Sequence, residues 1–188
     1  MNQLSVLVAE SLVNLEDIVQ HDFASQRTSA DQLEHAVRET LLAADPRFCG
    51  PVGVRAPGDI LYQGDVLCHI NIKTTDASKD FHMPNLISAD NLWKIFAKGE
   101  SFYLLRIIHR SGQIISKDFH DIRDIDWSNL QLGALGSGQI QIKNGLNPIV
   151  PNPGSRDEWM TQWKHKMIKF YDNELVKINK RLIKWSSR

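Results

Sequence analysis

Residues 59–75, DILYQGDVLCHINIKTT, contain two short apolar runs on either side of a turn. The first run covers 59–62 and the second 66–73, and the connecting Gln63-Gly64-Asp65 is typical of a β-hairpin. Apolar and polar residues alternate in the second run, which predicts a half-buried strand with a polar far end. Its two faces are formed by Val66, Cys68, Ile70 and Ile72 and by Leu67, His69, Asn71 and Lys73.

The hairpin brings Asp59 to the polar end of the returning strand. We expect a two-residue turn to place Asp59 opposite Ile70 and a three-residue turn to place it opposite His69. In both registers its side chain can reach Asn71 and Lys73, which share a face. Carboxylate and amide oxygens suit Mg²⁺, and a neighbouring lysine can activate an attacking water. The pattern therefore indicates a hydrolytic metal site, although Lys73 alone also fits a solvated strand end.

Helices flank this hairpin, and further strands follow it. The predicted helices cover 1–22, 30–44, part of 85–98 and 156–185, and the later strands cover 101–109, 113–116 and 139–143. Residues 74–84 are predicted to form a polar loop. We expect an α+β fold with a central mixed β-sheet flanked by helices, in one domain spanning 1–188. Within it, 1–24 forms an N-terminal helix, 25–150 the core and 156–185 a C-terminal helix.

The C-terminal helix carries apolar residues at helical spacing along its whole length. This spacing predicts a continuous apolar stripe, and its tryptophans are interpreted as core residues. The stripe consists of Trp159, Trp163, Met167, Phe170, Leu175, Ile178, Leu182 and Trp185.

Charge is balanced overall but unevenly distributed. The formal net charge of the 188 residues is +0, yet residues 1–45 carry eight acidic against two basic side chains, and residues 159–188 carry eight basic against two acidic ones. A basic end is compatible with a polyanionic partner or with a solvated helix face. Two cysteines exclude a disulfide framework, and no run is long enough to span a membrane. We interpret the chain as a reduced, intracellular protein.

The stretch Ile70-Asn71-Ile72-Lys73-Thr74-Thr75 resembles the D-I-K-T-T core of EcoRV/HincII-like type II restriction endonucleases, in the PD-(D/E)xK superfamily. The likeness continues in chain order over most of residues 30–175. A glutamate-bearing helix precedes the motif. The apolar strand 101–109, the loop LGSGQIQ at 135–141 and the tryptophan-bearing helix DEWMTQWKHKMIKFYDNE follow it.

The resemblance implies a set of catalytic residues. Asp59 matches the first metal carboxylate, Asn71 holds the place of the second acid, and Lys73 matches the catalytic lysine. Glu34 matches the upstream helix glutamate, with Glu39 as the alternative. The implied cofactor is Mg²⁺, for which Mn²⁺ would substitute.

Two departures from the family pattern bear on activity. The proline expected before the first acid is displaced, since the sequence reads Pro57-Gly58-Asp59. The second acid is Asn71, which is compatible with a native amide or with an Asp-to-Asn change.

The implied partner is double-stranded DNA, read by the Gly-Ser-Gly loop in the major groove. Gln is a bidentate reader of adenine, so the loop makes Gln139 and Gln141 base-contact candidates. The other expected DNA-binding residues are Ser137, Gly138, Lys143, Thr74, Thr75 and Lys180. Cutting both strands of a palindrome implies a homodimer, with the N-terminal helix as a candidate dimer element, in the cytoplasm of a prokaryotic cell. The rival hypothesis is a catalytically silent, sequence-specific DNA-binding protein.

Overall fold

The computed structural model describes residues 3–13, 15, 26–51, 56–110, 113–133 and 138–186, with only the backbone described at 26–30. The predicted α+β class is confirmed. The helices are α1 (Gln3–Ser11), α2 (Gln26–Ala44), α3 (Ala89–Ala97), α4 (Arg156–Ser186) and a short 3-10 helix (Ile122–Asp124). The strands are β1 (Phe48–Cys49), β2 (Ile60–Gln63), β3 (Leu67–Asp76), β4 (Asn85–Ser88), β5 (Ser101–Arg110), β6 (Gln113–Asp121), β7 (Leu130–Gly133) and β8 (Gln139–Ile142).

The main sheet has five strands in the order β1-β2-β3-β5-β6. It is mixed because β3 and β5 are parallel while the other neighbours are antiparallel. The connection from β3 to β5 passes through β4 and α3, as a parallel pair requires a crossover. A second sheet of three strands, in the order β4-β8-β7, lies beside the first.

The central strand β3 differs from the prediction in length and burial. It runs to Asp76, so Thr74 and Thr75 lie inside the strand and not in a loop. Both of its faces are covered, so the prediction of a half-buried strand was wrong. One face contributes Ile70 and Ile72 to a core closed by α1 and α2, and β5 contributes to a second core beneath α3 and α4.

The hairpin turn also differs from the prediction. Gln63 pairs with Leu67 and Ile60 pairs with Ile70, so the turn contains residues 64–66. This register places Asp59 at the level of Asn71, one or two residues beyond both predicted positions. The correction brings Asp59 closer to the polar end of β3.

The N-terminal stripe is used inside the protomer. Leu4, Val8, Leu12 and Leu15 are all buried in the first core, although α1 is shorter than the predicted helix. We expected this apolar stripe to serve as a dimer element. In its described part, the stripe is instead covered by packing within the chain. Residues 16–25 lie outside the described part of the chain.

The C-terminal helix is observed at its predicted position, but the core interpretation holds only for its first turns. Trp159 and Trp163 are buried in the second core, whereas Trp185 is 69% exposed. Trp185 was therefore wrongly assigned to the core, because the body of the protein covers only the start of α4. Among the described residues, none of the helices has the length and apolar character needed to cross a membrane.

Candidate active site at the end of the central hairpin

The candidate site lies where β2 stops covering the edge of β3. Asp59 immediately precedes β2, and its backbone N–H donates to the Ile70 carbonyl at 2.8 Å. Its carboxylate Oδ2 accepts a hydrogen bond from the Ile72 N–H at 2.7 Å. A side chain thus replaces the missing backbone partner, which fixes the carboxylate beside Asn71.

Glu34 of α2 bonds the next outward-pointing backbone N–H along the same edge of β3, that of Thr74. Its Oε1 accepts from the backbone N–H and from the hydroxyl of Thr74, each at 3.4 Å. The N–H groups of Ile72 and Thr74, two residues apart on one strand edge, are therefore both satisfied by carboxylates. Asp59 and Glu34, which are far apart in the sequence, meet at this edge.

Lys73 is close enough to Glu34 for its charge to act on that carboxylate. Burial raises the pKa of Glu34, the Lys73 ammonium lowers it, and the Asp59 carboxylate raises it further. The charges of Lys73 and Asp59 thus both act on Glu34. The alternative residue Glu39 is elsewhere: its side chain is 55% exposed, and its Oε1 lies 3.9 Å from both His35 Nδ1 and Arg38 Nε.

Asn71 carries an unsatisfied oxygen on the face of β3 opposite to that of Ile72 and Thr74. The residue is 7% exposed, and its Oδ1 is buried with no hydrogen-bond partner. Leaving a buried carbonyl oxygen without a donor costs about 1–3 kcal/mol. Such an oxygen is suited to receive a cation, because a cation supplies the missing positive partner.

The oxygen donors present fit Mg²⁺ chemistry. Two carboxylates and one amide oxygen are hard ligands, and Mg²⁺ binds few protein groups while keeping several waters. No group of three or more His, Cys, Asp or Glu side chains placed to hold a metal is found in the described ranges. Of the predicted ligands, Asp59 and Glu34 are therefore brought together at this edge, whereas within the described part of the chain no contact joins the Asn71 amide to either carboxylate.

An open cavity of about 290 Å³ adjoins the two carboxylates. Its lining includes Asp31, Glu34, Arg38, Asp59 and Ile72. Arg38 therefore brings a cationic side chain to the cavity wall, and its buried Nε has no hydrogen-bond partner and lies 3.9 Å from Glu39 Oε1. Sequence reasoning missed Arg38, although its position one helical turn after Glu34 places both on one face of α2.

The two glutamines expected to read DNA lie in the second sheet. Ser137 falls outside the described residues. Gly138 has φ +89°, and its carbonyl accepts a hydrogen bond from Ala89 N at 2.8 Å. A Cβ at Gly138 would approach Met167 Cε to 3.2 Å, so α4 packs closely against this end of the loop.

The two glutamines of β8 have different surroundings. Gln139 is half-buried between its strand neighbours Ser88 and Gly133. Gln141 is 5% exposed, donates to Asn85 Oδ1 at 2.6 Å and accepts from Gln131 Nε2 at 3.1 Å. In this conformation its amide is engaged inside the protein.

The remaining residues expected to contact DNA differ in how exposed they are. Thr75 is 1% exposed and its hydroxyl lies 3.2 Å from His82 Nδ1, which makes it an interior residue. Lys143 directly follows β8 and is exposed, as is Lys180 on α4. The two lysines are therefore free to contact a phosphate, whereas Thr75 is not.

Comparison with known proteins does not assign the chain. A scan of protein-family models finds none that matches, and a search of curated proteins finds no significant relative.

Proposed function

We propose that this chain is a Mg²⁺-dependent type II restriction endonuclease of the PD-(D/E)xK superfamily, acting on duplex DNA at a short palindromic sequence. One observation carries the proposal. The carboxylates of Asp59 and Glu34 meet at the N–H groups of Ile72 and Thr74 on one edge of the INIKTT strand, and the charge of Lys73 acts on Glu34. The helix supplies Glu34, the hairpin Asp59 and the strand Lys73. This is the chain order on which the family resemblance rests.

In the proposed reaction, Asp59 and Asn71 hold the metal and Glu34 supports it. A bound Mg²⁺ would polarise the phosphate and lower the pKa of the attacking water. Lys73 orients that water and offsets the negative charge that develops on the phosphate. Because burial raises the pKa of Glu34, its carboxylate is a better proton acceptor than an exposed glutamate.

DNA binding would use the second sheet and α4. The loop bearing Ser137 and Gly138 leads to Gln139, the more accessible of the two glutamines, which we assign as the base reader. Lys143 and Lys180 supply phosphate contacts that position the duplex without reading its sequence. A palindromic site cut on both strands requires two copies related by a two-fold axis.

One observation favours a catalytically silent DNA-binding protein as the second candidate. The place of the second acid is taken by Asn71, so this position contributes no charge to a metal. A neutral amide binds a hard divalent cation less tightly than a carboxylate does. Retention of Asp59, Glu34 and Lys73 around the same edge favours the enzyme.

Cleavage of plasmid DNA separates the two candidates. We expect discrete fragments with Mg²⁺ or Mn²⁺ and none with EDTA. Lys73→Ala should abolish cleavage while sequence-specific binding, measured by mobility shift, stays nearly intact. Lys79→Ala is the matched control, because Lys79 is an exposed lysine shortly after β3.

One outcome would count against the enzyme, and another against the role assigned to Lys73. A native protein that shifts specific DNA but never cuts it is the silent binder. A Lys73→Ala protein that cuts at a rate near the native one removes Lys73 from catalysis.

A further inference from the structure

The second half of α4 exposes a broad apolar surface. The helix is anchored by Trp159 and Trp163, which are 0% and 2% exposed. Beyond them, aliphatic side chains that the core would normally bury are 46–70% exposed. These are Ile168, Leu175, Val176, Ile178, Leu182 and Ile183.

Most of these residues follow a heptad. Residues 168, 175 and 182 recur every seven positions, as do 171, 178 and 185, and the spacings between them alternate between three and four. This is the a/d pattern of a coiled-coil seam, in which apolar residues face another helix. The seam, residues 168–185, is therefore built to pack lengthwise against a helix and extends for about 27 Å at 1.5 Å per residue.

The seam is complementary to itself in the antiparallel direction. A second copy turned about an axis between residues 176 and 177 sets Leu175 against Ile178 and Leu182 against Tyr171, and the pairing repeats symmetrically. All layers then pair an a position with a d position. Val176 and Ile183 directly follow the a positions 175 and 182 and lie outside the seam.

Charge favours this antiparallel arrangement over a parallel one. Glu174 Oε1 accepts a hydrogen bond from Lys177 Nζ of the same helix, and the antiparallel register sets its carboxylate beside Arg181 of the second copy as well. This pair occurs twice. In a parallel pair, Glu174 would meet only the neutral Asn179, and the two basic helix ends would lie together. Lys180 lies on the outward face of the helix, away from the seam.

We propose that the protein forms a two-fold dimer through antiparallel packing of residues 168–185 of α4. An isologous contact of this kind is the commonest form of homodimer. The dimer requires no nuclease activity. It also leaves the N-terminal stripe where the structure has it, inside the protomer.

The mass of the full-length protein in solution tests the proposal first. Light scattering after size exclusion should give twice the chain mass of 21.4 kDa. Leu182→Glu should give the monomer mass with an unchanged circular dichroism spectrum of the folded body, because Leu182 is 59% exposed. Asn173→Glu is the control, since it adds the same charge on the outward face and should remain dimeric.

Charge reversal tests the register. Glu174→Arg and Arg181→Glu each place like charges together twice, so each should weaken the dimer about fivefold or more. The double variant restores both pairs and should regain the native dissociation constant, and a mixture of the two single variants should form heterodimers.

A monomeric native protein, or a dimer that survives Leu182→Glu, would overturn the proposal. Failure of the double variant to recover while both single variants are weakened would overturn the antiparallel register.

Discussion

Replacing Asn71 by aspartate tests the candidate metal site most directly. Asn71→Asp introduces a carboxylate at a position that is 7% exposed and lies opposite Asp59 in the hairpin register. Without metal, the two carboxylates repel each other, and the new group loses solvation. We therefore expect the metal-free variant to be about 1–3 kcal/mol less stable. In a chain of this length, that corresponds to a Tm lower by about 2–12 °C.

Mg²⁺ should reverse this loss, because shared ligation replaces repulsion. At a free concentration about 100 times Kd, a ligand stabilises the folded state by about 2.7 kcal/mol. This equals a gain of about 5–11 °C in Tm. We expect the gain to be larger in Asn71→Asp than in the native protein, and to appear at a lower Mg²⁺ concentration.

The assay is thermal unfolding in EDTA and across a Mg²⁺ titration. Asn129→Asp is the matched control, because Asn129 is also 7% exposed but bonds Pro148 and Val150, away from the site. The control should lose stability without gaining a Mg²⁺ response. Equal Mg²⁺ responses in the two variants would refute the assignment of Asn71 as a metal ligand.

Measuring the cleavage rate across the same Mg²⁺ titration shows whether Asn71 is the native residue or an inactivating change. A large gain from near zero in Asn71→Asp would identify the present chain as an inactivated form of an active enzyme. A modest change would identify asparagine as the native residue. Complete loss of an existing activity, with the fold intact, would show that position 71 is not the second ligand.

Three further predictions concern four single substitutions. Since the folded state raises the pKa of Glu34, ionisation of this group costs stability as pH rises, so Glu34→Gln should raise Tm at pH 8 and leave it unchanged near pH 4. Arg106 is 3% exposed and bonds Asp118, so Arg106→Met should lower the free energy of unfolding in urea by about 3 kcal/mol. Gln139→Ala should weaken binding to cognate DNA by about 1–3 kcal/mol with little effect on random DNA, whereas Lys180→Ala should weaken both and reduce the salt slope by about one.

Local sequence signals were sufficient for the hairpin. Alternation over 66–73 predicted β3 with the correct faces, and it placed Asp59 near Asn71 and Lys73. The Gly64-Asp65 signal did not determine the number of residues in the turn. The pairing of Gln63 with Leu67 sets the register. The strand also continued past Lys73 because β5 pairs with it as far as Asp76, and a local pattern does not record that partner.

Long-range packing explains the other differences. Gln141 looked like an exposed reader, but β8 lies between β4 and β7, and the amides of Asn85 and Gln131 enclose its side chain. Helical spacing likewise predicted the apolar face of α4 without indicating what covers it. Periodicity reports which residues share a face, whereas burial depends on elements that are distant in the sequence.

The bonds that hold Asp59 and Glu34 to β3 have a consequence for the entropy of metal binding. Each carboxylate uses one oxygen on the strand, Oδ2 and Oε1, and within the described part of the chain the other oxygen accepts no hydrogen bond. Ordering a glutamate side chain costs up to about 2 kcal/mol of rotamer entropy, and here the fold has already ordered it. A cation would therefore meet ligands that need little rearrangement, which compensates in part for the neutral amide at position 71.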